Sequence, residues 1–217
     1  MRDIVKVINI LDKEVKKFTK PVATDIGNKT KDPFKVLIST ILSLRTRDET
    51  TARISSELFK MYDTPKKLDN AKIKDIQNII RPVNYYIGKS KSIKEISHKI
   101  IKEYNGKVPK DFDELLKFKG VGRKTANIVM VYGYDKPYHI PVDTHVNRIP
   151  NRLGWIKTKK PEETEKALMK IIPRKYWWSF NNNFVAFGQN ICLPVSPKCS
   201  ICPIKKYCKR INVKISR

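Results

Sequence analysis

Four cysteines crowd the C-terminal end of the chain: Cys192, Cys199, Cys202 and Cys208 form a C-x6-C-x2-C-x5-C run inside 17 residues. Four soft thiolates so close in sequence converge only if their loop wraps around something, and a tetrahedral zinc ion or a cubic four-iron cluster are the contents that fit. The x2 pair spans one corner of a cluster, and the longer gaps carry the chain around its other corners. Zinc sites more often use two C-x2–4-C pairs, which this run lacks. The spacing therefore favours a cluster and leaves zinc open. Disulfides are the weaker reading. The N-terminal stretch MRDIVKVINILDKEVKKF breaks its apolar residues with charges at helical spacing, unlike the uninterrupted apolar core of a signal peptide. The expected compartment is the cytoplasm (at the nucleoid) or a nucleus, where thiols stay reduced.

Such a loop needs a scaffold, and 217 residues suffice. A chain of this size buries roughly 70% of the surface its unfolded form exposes. Nearly every segment reads as helix. Ile4, Val5, Ile8, Leu11, Val15 and Phe18 follow a 3.6-residue period. Asp32-Pro33 has the form of an N-cap and first-turn proline opening PFKVLISTILSL; Asp48 is the expected cap of ETTARISSELFKMY, and Thr64-Pro65 opens a further short helix. Ile93, Ile96, Ile100 and Ile101 mark another stripe, ended by Asn105-Gly106. A short helix is expected from Asp113 to Phe118. Beyond Asp143, THVNRIPNRLG, PEETEKALMKII and WWSFNNNFVAFGQN read as helices too. Few runs alternate strictly enough to be strands, so the expected class is all-α. No apolar stretch approaches a membrane span, which argues against a membrane partner.

Charge narrows the partner. Lys and Arg number 46 against 21 Asp and Glu, a formal net charge of +25. Such an excess attracts polyanions, and nucleic acid is the first expectation ahead of an acidic membrane surface. The basic residues run along the whole chain and form no detachable tail.

Lys119-Gly120-Val121-Gly122-Arg123-Lys124-Thr125-Ala126 lies between two expected helices. Glycines at 120 and 122 allow a tight turn with backbone N–H groups exposed, and the following helix start adds partial positive charge, so the turn suits phosphate. A G-x-G alone is weak. On residue type alone Lys124 reads as a phosphate-binding lysine, and Asp143, in Val142-Asp143-Thr144-His145, as the cap of the next helix.

Taken together, the cysteine spacing, GVGRKTA and VDTH in a basic all-α chain resemble the endonuclease III branch of the helix-hairpin-helix DNA glycosylases. The resemblance runs from about Asp32 through Cys208. It implies a [4Fe–4S] cluster on Cys192, Cys199, Cys202 and Cys208, bracing a loop whose Lys198, Lys205 and Lys206 are candidates for phosphate contact. It implies a hairpin (Gly120, Val121, Gly122, Arg123 and Thr125) that holds the DNA backbone without reading sequence. Lys124 stands where the family's catalytic lysine stands: its amine attacks C1′ of a damaged deoxynucleoside, expels the base and leaves an imine. Attack needs the neutral amine, which cations such as Arg123 and partial burial favour. Asp143 stands where the family's essential aspartate stands, a carboxylate that stabilises the positive charge built on the sugar as the base departs. His145 is expected beside it, as a packing or hydrogen-bonding neighbour near the DNA.

The family extracts its target nucleotide from the stack with one gap-filling and one wedge loop. Arg45, in SLRTRD, holds the position usual for a gap-filling glutamine; Tyr85, in VNYYIGKSK, that of a wedge leucine. A guanidinium can donate to an orphaned base and an aromatic ring can stack, although Arg45 can instead bind phosphate and Tyr85 pack in the core. Asn84 replaces the usual glycine before the wedge, and Lys119 the usual proline before the hairpin.

The architecture this implies is two helical domains flanking a DNA-binding cleft: residues 28–136 with the hairpin, and residues 1–27 joined to 137–217 with the cluster. Lys124 and Asp143 are expected to face each other across it. The implied activity is base excision with abasic-site lyase action by β-elimination, on double-stranded DNA holding an oxidised pyrimidine or an abasic site, by a monomer. A mismatch glycosylase for thymine or uracil opposite guanine is the nearest rival. A non-catalytic metal-containing DNA-binding protein explains the charge, hairpin and cysteines but leaves Lys124 and Asp143 as coincidence. A soluble electron carrier needs only the cysteines and leaves the charge unexplained.

Overall fold

The elements begin where local chemistry starts them. In the computed structural model, which describes residues 2–18 and 21–217, α1 (Arg2–Glu14) continues into a 3-10 turn at Val15–Lys17. Its apolar stripe is the expected one with one change: Val7 is fully buried alongside Ile8, Leu11 and Val15, whereas Val5 is only half-buried.

Eight helices follow: α2 (Val22–Thr30), α3 (Pro33–Ser43), α4 (Asp48–Met61), α5 (Pro65–Asn70), α6 (Ile73–Ile80), α7 (Tyr86–Tyr104), α8 (Phe112–Leu116) and α9 (Arg123–Ile128), the last running into a π-helical turn at Val129–Gly133. Asp32 caps α3 by accepting from the Phe34 and Lys35 amides at 2.8 and 3.3 Å. Thr64 caps α5 through the Lys67 amide. Two starts differ from expectation. Arg47, not Asp48, is the N-cap residue of α4, with no side-chain cap bond; Asp48 lies inside the first turn, where its charge suits the helix dipole. Asp111 caps α8, drawing its start back to Phe112.

Helix α3 is apolar on nearly every side and is buried accordingly, packed by α2, α4, α7, α9 and the π turn. Lys89, Ser90, Ile93, Ile96, Ser97 and Ile100 form the buried face of α7. All of these helices belong to one compact unit, Val22–Lys136. It starts ahead of the sequence boundary at residue 28 because α2 packs on α3.

The other unit comprises Met1–Pro21 and Pro137–Arg217. It adds α10 (Thr144–Leu153), α11 (Pro161–Ile171) and α12 (Trp177–Asn190) to α1. Val7, Ile8 and Leu11 meet Val146, Ile149 and Leu153 of α10, Leu168 of α11, and Phe180, Phe184 and Phe187 of α12 in one core. Phe180 and Phe184 stack at 4.1 Å between centroids. Cys192, Cys202 and Cys208 pack on the edge of this core beside buried Ile204. No strand occurs among the described residues, and no helix among them is long and apolar enough to cross a membrane.

Candidate active site and cysteine loop

The hairpin is built from α8, a turn and α9. Val121 N–H donates to the Phe118 carbonyl at 3.0 Å, and Gly120 takes φ +82°, a conformation that favours glycine. Gly122 is different. Its φ of −94° suits any residue, and a Cβ built on it meets nothing within 4 Å. Neither backbone strain nor packing within the protein asks for glycine there. Both glycines are exposed, while Val121 and Thr125 are buried, so an outside contact from those two falls to their backbone. The Arg123 guanidinium lies 5.0 Å from the Phe112 ring centroid, which ties the two hairpin helices together. Lys124 is half-buried in the first turn of α9.

Two loops of the same unit meet. Arg45 and Tyr85 both adopt left-handed backbone, φ +56° and +60°. Arg45 Nη1 donates to the Tyr85 hydroxyl at 3.2 Å, with the guanidinium 5.8 Å from the ring centroid. Asn84 Nδ2 donates to the Arg45 carbonyl, and the Asn84 amide to Thr46 Oγ1 at 3.2 Å. Tyr85 is 66% exposed, so it is not a core residue. Beneath the loops lies a group that sequence reasoning missed. Lys89 is only 8% exposed, and its Nζ donates to the Leu42 carbonyl (2.7 Å), the Leu44 carbonyl (2.5 Å) and Thr46 Oγ1 (3.2 Å). Burial pushes its amine down to about 8. The available signal was periodicity: Lys89 falls on the stripe of Ile93, Ile96 and Ile100.

In the other unit Asp143 is the N-cap of α10, its Oδ1 accepting from the His145 and Val146 amides at 2.9 and 2.8 Å. His145 Nδ1 accepts from Arg148 Nη2 at 3.0 Å, and the same Nη2 reaches the Cys192 carbonyl at 2.8 Å. A Cβ on Gly188 of α12 would lie 2.3 Å from His145 Nδ1, so this pairing requires glycine on the facing helix. Burial pulls the Arg148 guanidinium below its ordinary range. One turn on, buried Arg152 donates to the Leu193 and Pro194 carbonyls, both at 2.6 Å, and to Cys192 Sγ at 3.4 Å. Neither arginine was singled out by the sequence.

All four cysteines are free of disulfides and line one pocket, with Ile149, Arg152 and Phe187 among its walls. Among the described residues no group of three or more His, Cys, Asp or Glu is set around a single ion position. Four thiols on one pocket are the donor type and number that a four-iron cluster takes, one thiolate to each iron. Burial pushes the Cys202 thiol up to about 11 and Cys208 in the same direction, with the neighbouring thiols adding to it. A cation held by these sulfurs would offset that cost by stabilising their thiolate forms. N–H groups of Arg152 and Arg210 aimed at Cys192 and Cys208 Sγ, both at 3.4 Å, fit metal-bound sulfur as well.

Residues 38–174 match the HhH-GPD superfamily base excision DNA repair protein family, and residues 192–208 match the iron-sulfur binding domain of endonuclease III. Endonuclease III of Thermotoga maritima is 50% identical over 183 residues, 84% of this chain and 85% of that protein. A solved non-covalent endonuclease III–DNA complex superposes with a TM-score of 0.85 at 33% identity, covering 96% of this chain and 95% of that one. A trapped endonuclease III–DNA covalent intermediate, the estranged-adenine complex, gives 0.77 at 37%, covering 82% and 84%. Fold, hairpin and cysteine loop define a base-excision DNA glycosylase of the helix-hairpin-helix class. Within that class the chain belongs to the endonuclease III family, DNA glycosylases with abasic-site lyase activity that carry a [4Fe–4S] cluster. Cys192, Cys199, Cys202 and Cys208 would hold the cluster, which would there tie the loop between them together.

Proposed function

We propose that the substrate is double-stranded DNA carrying an oxidised pyrimidine, such as thymine glycol, or an abasic site, and that the protein acts on it as a monomer. The observation that carries the lyase part of this reading is the half-buried Lys124, one residue into a short helix behind two exposed hairpin glycines. Open space at Gly122 suits close approach of a phosphodiester to the backbone. Lys124 supplies the amine that attacks C1′; its nitrogen bonds to the sugar carbon as the glycosidic bond breaks toward the base. The departing base takes up a proton, the C1′–O4′ bond then opens with a proton passing from the nitrogen to O4′, and the protonated imine so formed acidifies the C2′ proton; loss of that proton with the 3′ phosphate as leaving group is β-elimination, which cuts the strand on the 3′ side. Asp143, fixed as the cap of α10, supplies the negative charge that favours base departure and can relay a proton on the lysine path. Arg45 and Tyr85 fill and wedge the stack when the target nucleotide leaves it. The hairpin residues and the +25 charge hold the phosphate backbone, with His145 supporting Asp143's helix.

Single-turnover excision on matched duplexes tests the substrate. The reading expects thymine glycol to be released and abasic sites to be cut, with G·T and G·U duplexes poor substrates. Preferred cleavage at G·T or G·U would instead make the chain a mismatch-specific glycosylase of the same superfamily.

A further inference from the structure

Lys89 carries more structure than its place in a helix requires. Helix α3 ends at Ser43, and the carbonyls of a helix's last turn lack partners within the helix. Lys89 reaches across from α7 to supply them, bonding the Leu42 and Leu44 carbonyls and going on to Thr46 Oγ1. An ammonium has three N–H donors, and these acceptors use all three. Meanwhile the Lys89 backbone amide donates to the Tyr85 carbonyl at 3.0 Å, the first bond of α7. One residue therefore grips the loop of Arg45 by its side chain and the loop of Tyr85 by its backbone. The loops are also joined directly, through Asn84 to the Arg45 carbonyl and Thr46 and through Arg45 to the Tyr85 hydroxyl.

Both loop tips hold a non-glycine residue in left-handed backbone, a conformation of higher energy that persists only where the surroundings impose it. Exposed side chains cannot impose it, and Arg45 and Tyr85 are both exposed. The buried anchor can. Lys89 is not a second nucleophile, because it is buried and its donors are committed to carbonyls and a hydroxyl.

We propose that Lys89 is a positioning residue for opening the duplex: it locks the Arg45 and Tyr85 loops into one rigid unit, so that gap filling and wedging occur together. This rests on the reading of Arg45 and Tyr85 as the opening residues. A misplacement of about 1 Å at such a site lowers rates on the order of 10²-fold, and the loss falls only on substrates that have to be opened.

The test compares incision at an abasic site in duplex and in single-stranded DNA for the iron-loaded wild type, Lys89→Met, Thr46→Val, Arg45→Ala and Tyr85→Ala. A 2-aminopurine opposite the site reports unstacking. The proposal expects Lys89→Met to lower the duplex-to-single-strand ratio on the order of 10²-fold with the unstacking signal, and Thr46→Val to shift both in the same direction to a smaller extent. If Lys89→Met does not fold, the shift in Thr46→Val decides. Ratio and signal unchanged in the Lys89 and Thr46 variants but reduced in Arg45→Ala and Tyr85→Ala would overturn the proposal while sparing the loop assignment. No change in Arg45→Ala and Tyr85→Ala would remove the assignment itself, and the proposal with it. Equal losses on both DNA forms would assign Lys89 a purely structural role.

Discussion

Arg152 Nη1 lies 3.4 Å from Cys192 Sγ while the same side chain holds the Leu193 and Pro194 carbonyls, so one buried cation of α10 sets the start of the cysteine loop. Arg152→Met leaves those carbonyls without their donor, at roughly 1–3 kcal/mol each. The variant is expected to lose iron more readily than wild type when both are held in mild urea, measured as iron per protein. Equal retention would mean the loop is held from elsewhere.

Asp143 has a capping role and, as proposed, a catalytic one, and these separate. Asparagine caps about as well as aspartate but carries no charge. Asp143→Asn should melt close to wild type while excision of thymine glycol falls by roughly 10²–10⁴-fold. A variant that melts early and excises in proportion to its folded fraction would leave only the cap.

Gly122 offers the same kind of separation at the hairpin. With φ −94° and open space where a Cβ would go, Gly122→Ala should change stability by no more than about 1 kcal/mol. Duplex affinity, measured by fluorescence anisotropy, should nevertheless fall, because the methyl group stands where the DNA backbone is to approach. Unchanged affinity would place that approach elsewhere.

Glu114, in the first helix of the hairpin, accepts from Lys117 at 2.6 Å and from the Tyr104 hydroxyl at 2.8 Å. The Lys117 bond first, then that of Tyr104, holds its carboxyl below 4.5. A carboxylate with a lowered folded value contributes stability that is fully present above 4.5 and is lost as pH falls through that lowered value. The melting difference between wild type and Glu114→Gln should be small, because the group faces solvent, and should vanish toward acid. A difference that does not change with pH would assign the effect to packing.

What was legible in the chain was local. Cys192 to Cys208 lie in one 17-residue stretch, the hairpin in eight residues, and the Asp32, Thr64 and Asp143 caps act on amides two or three positions on. Patterns of this reach survive whatever the rest of the chain does. Arg152 and Lys89 were not legible because their partners lie some forty residues away and are backbone carbonyls, which no side-chain pattern reveals. Lys89 left one trace, a charge on the apolar stripe of α7. The helix starts at Asp48 and Phe112 each lie a residue ahead of the expected ones, the first because Asp48 sits within the first turn and the second because Asp111 supplies the cap. Helix α2, VATDIGNKT, straddles residue 28, where the sequence placed a boundary, because so short and mixed a segment takes its place from packing on α3.

The central claim is that Lys124 forms an imine with the sugar. Borohydride reduction of the iron-loaded protein on a duplex with an abasic site, run beside Lys124→Gln, reads that bond directly. A covalent protein–DNA adduct is expected with wild type and none with Lys124→Gln, while the variant still binds the duplex. An adduct of equal yield in the variant, or none from a wild-type protein that holds its cluster and binds DNA, would contradict it.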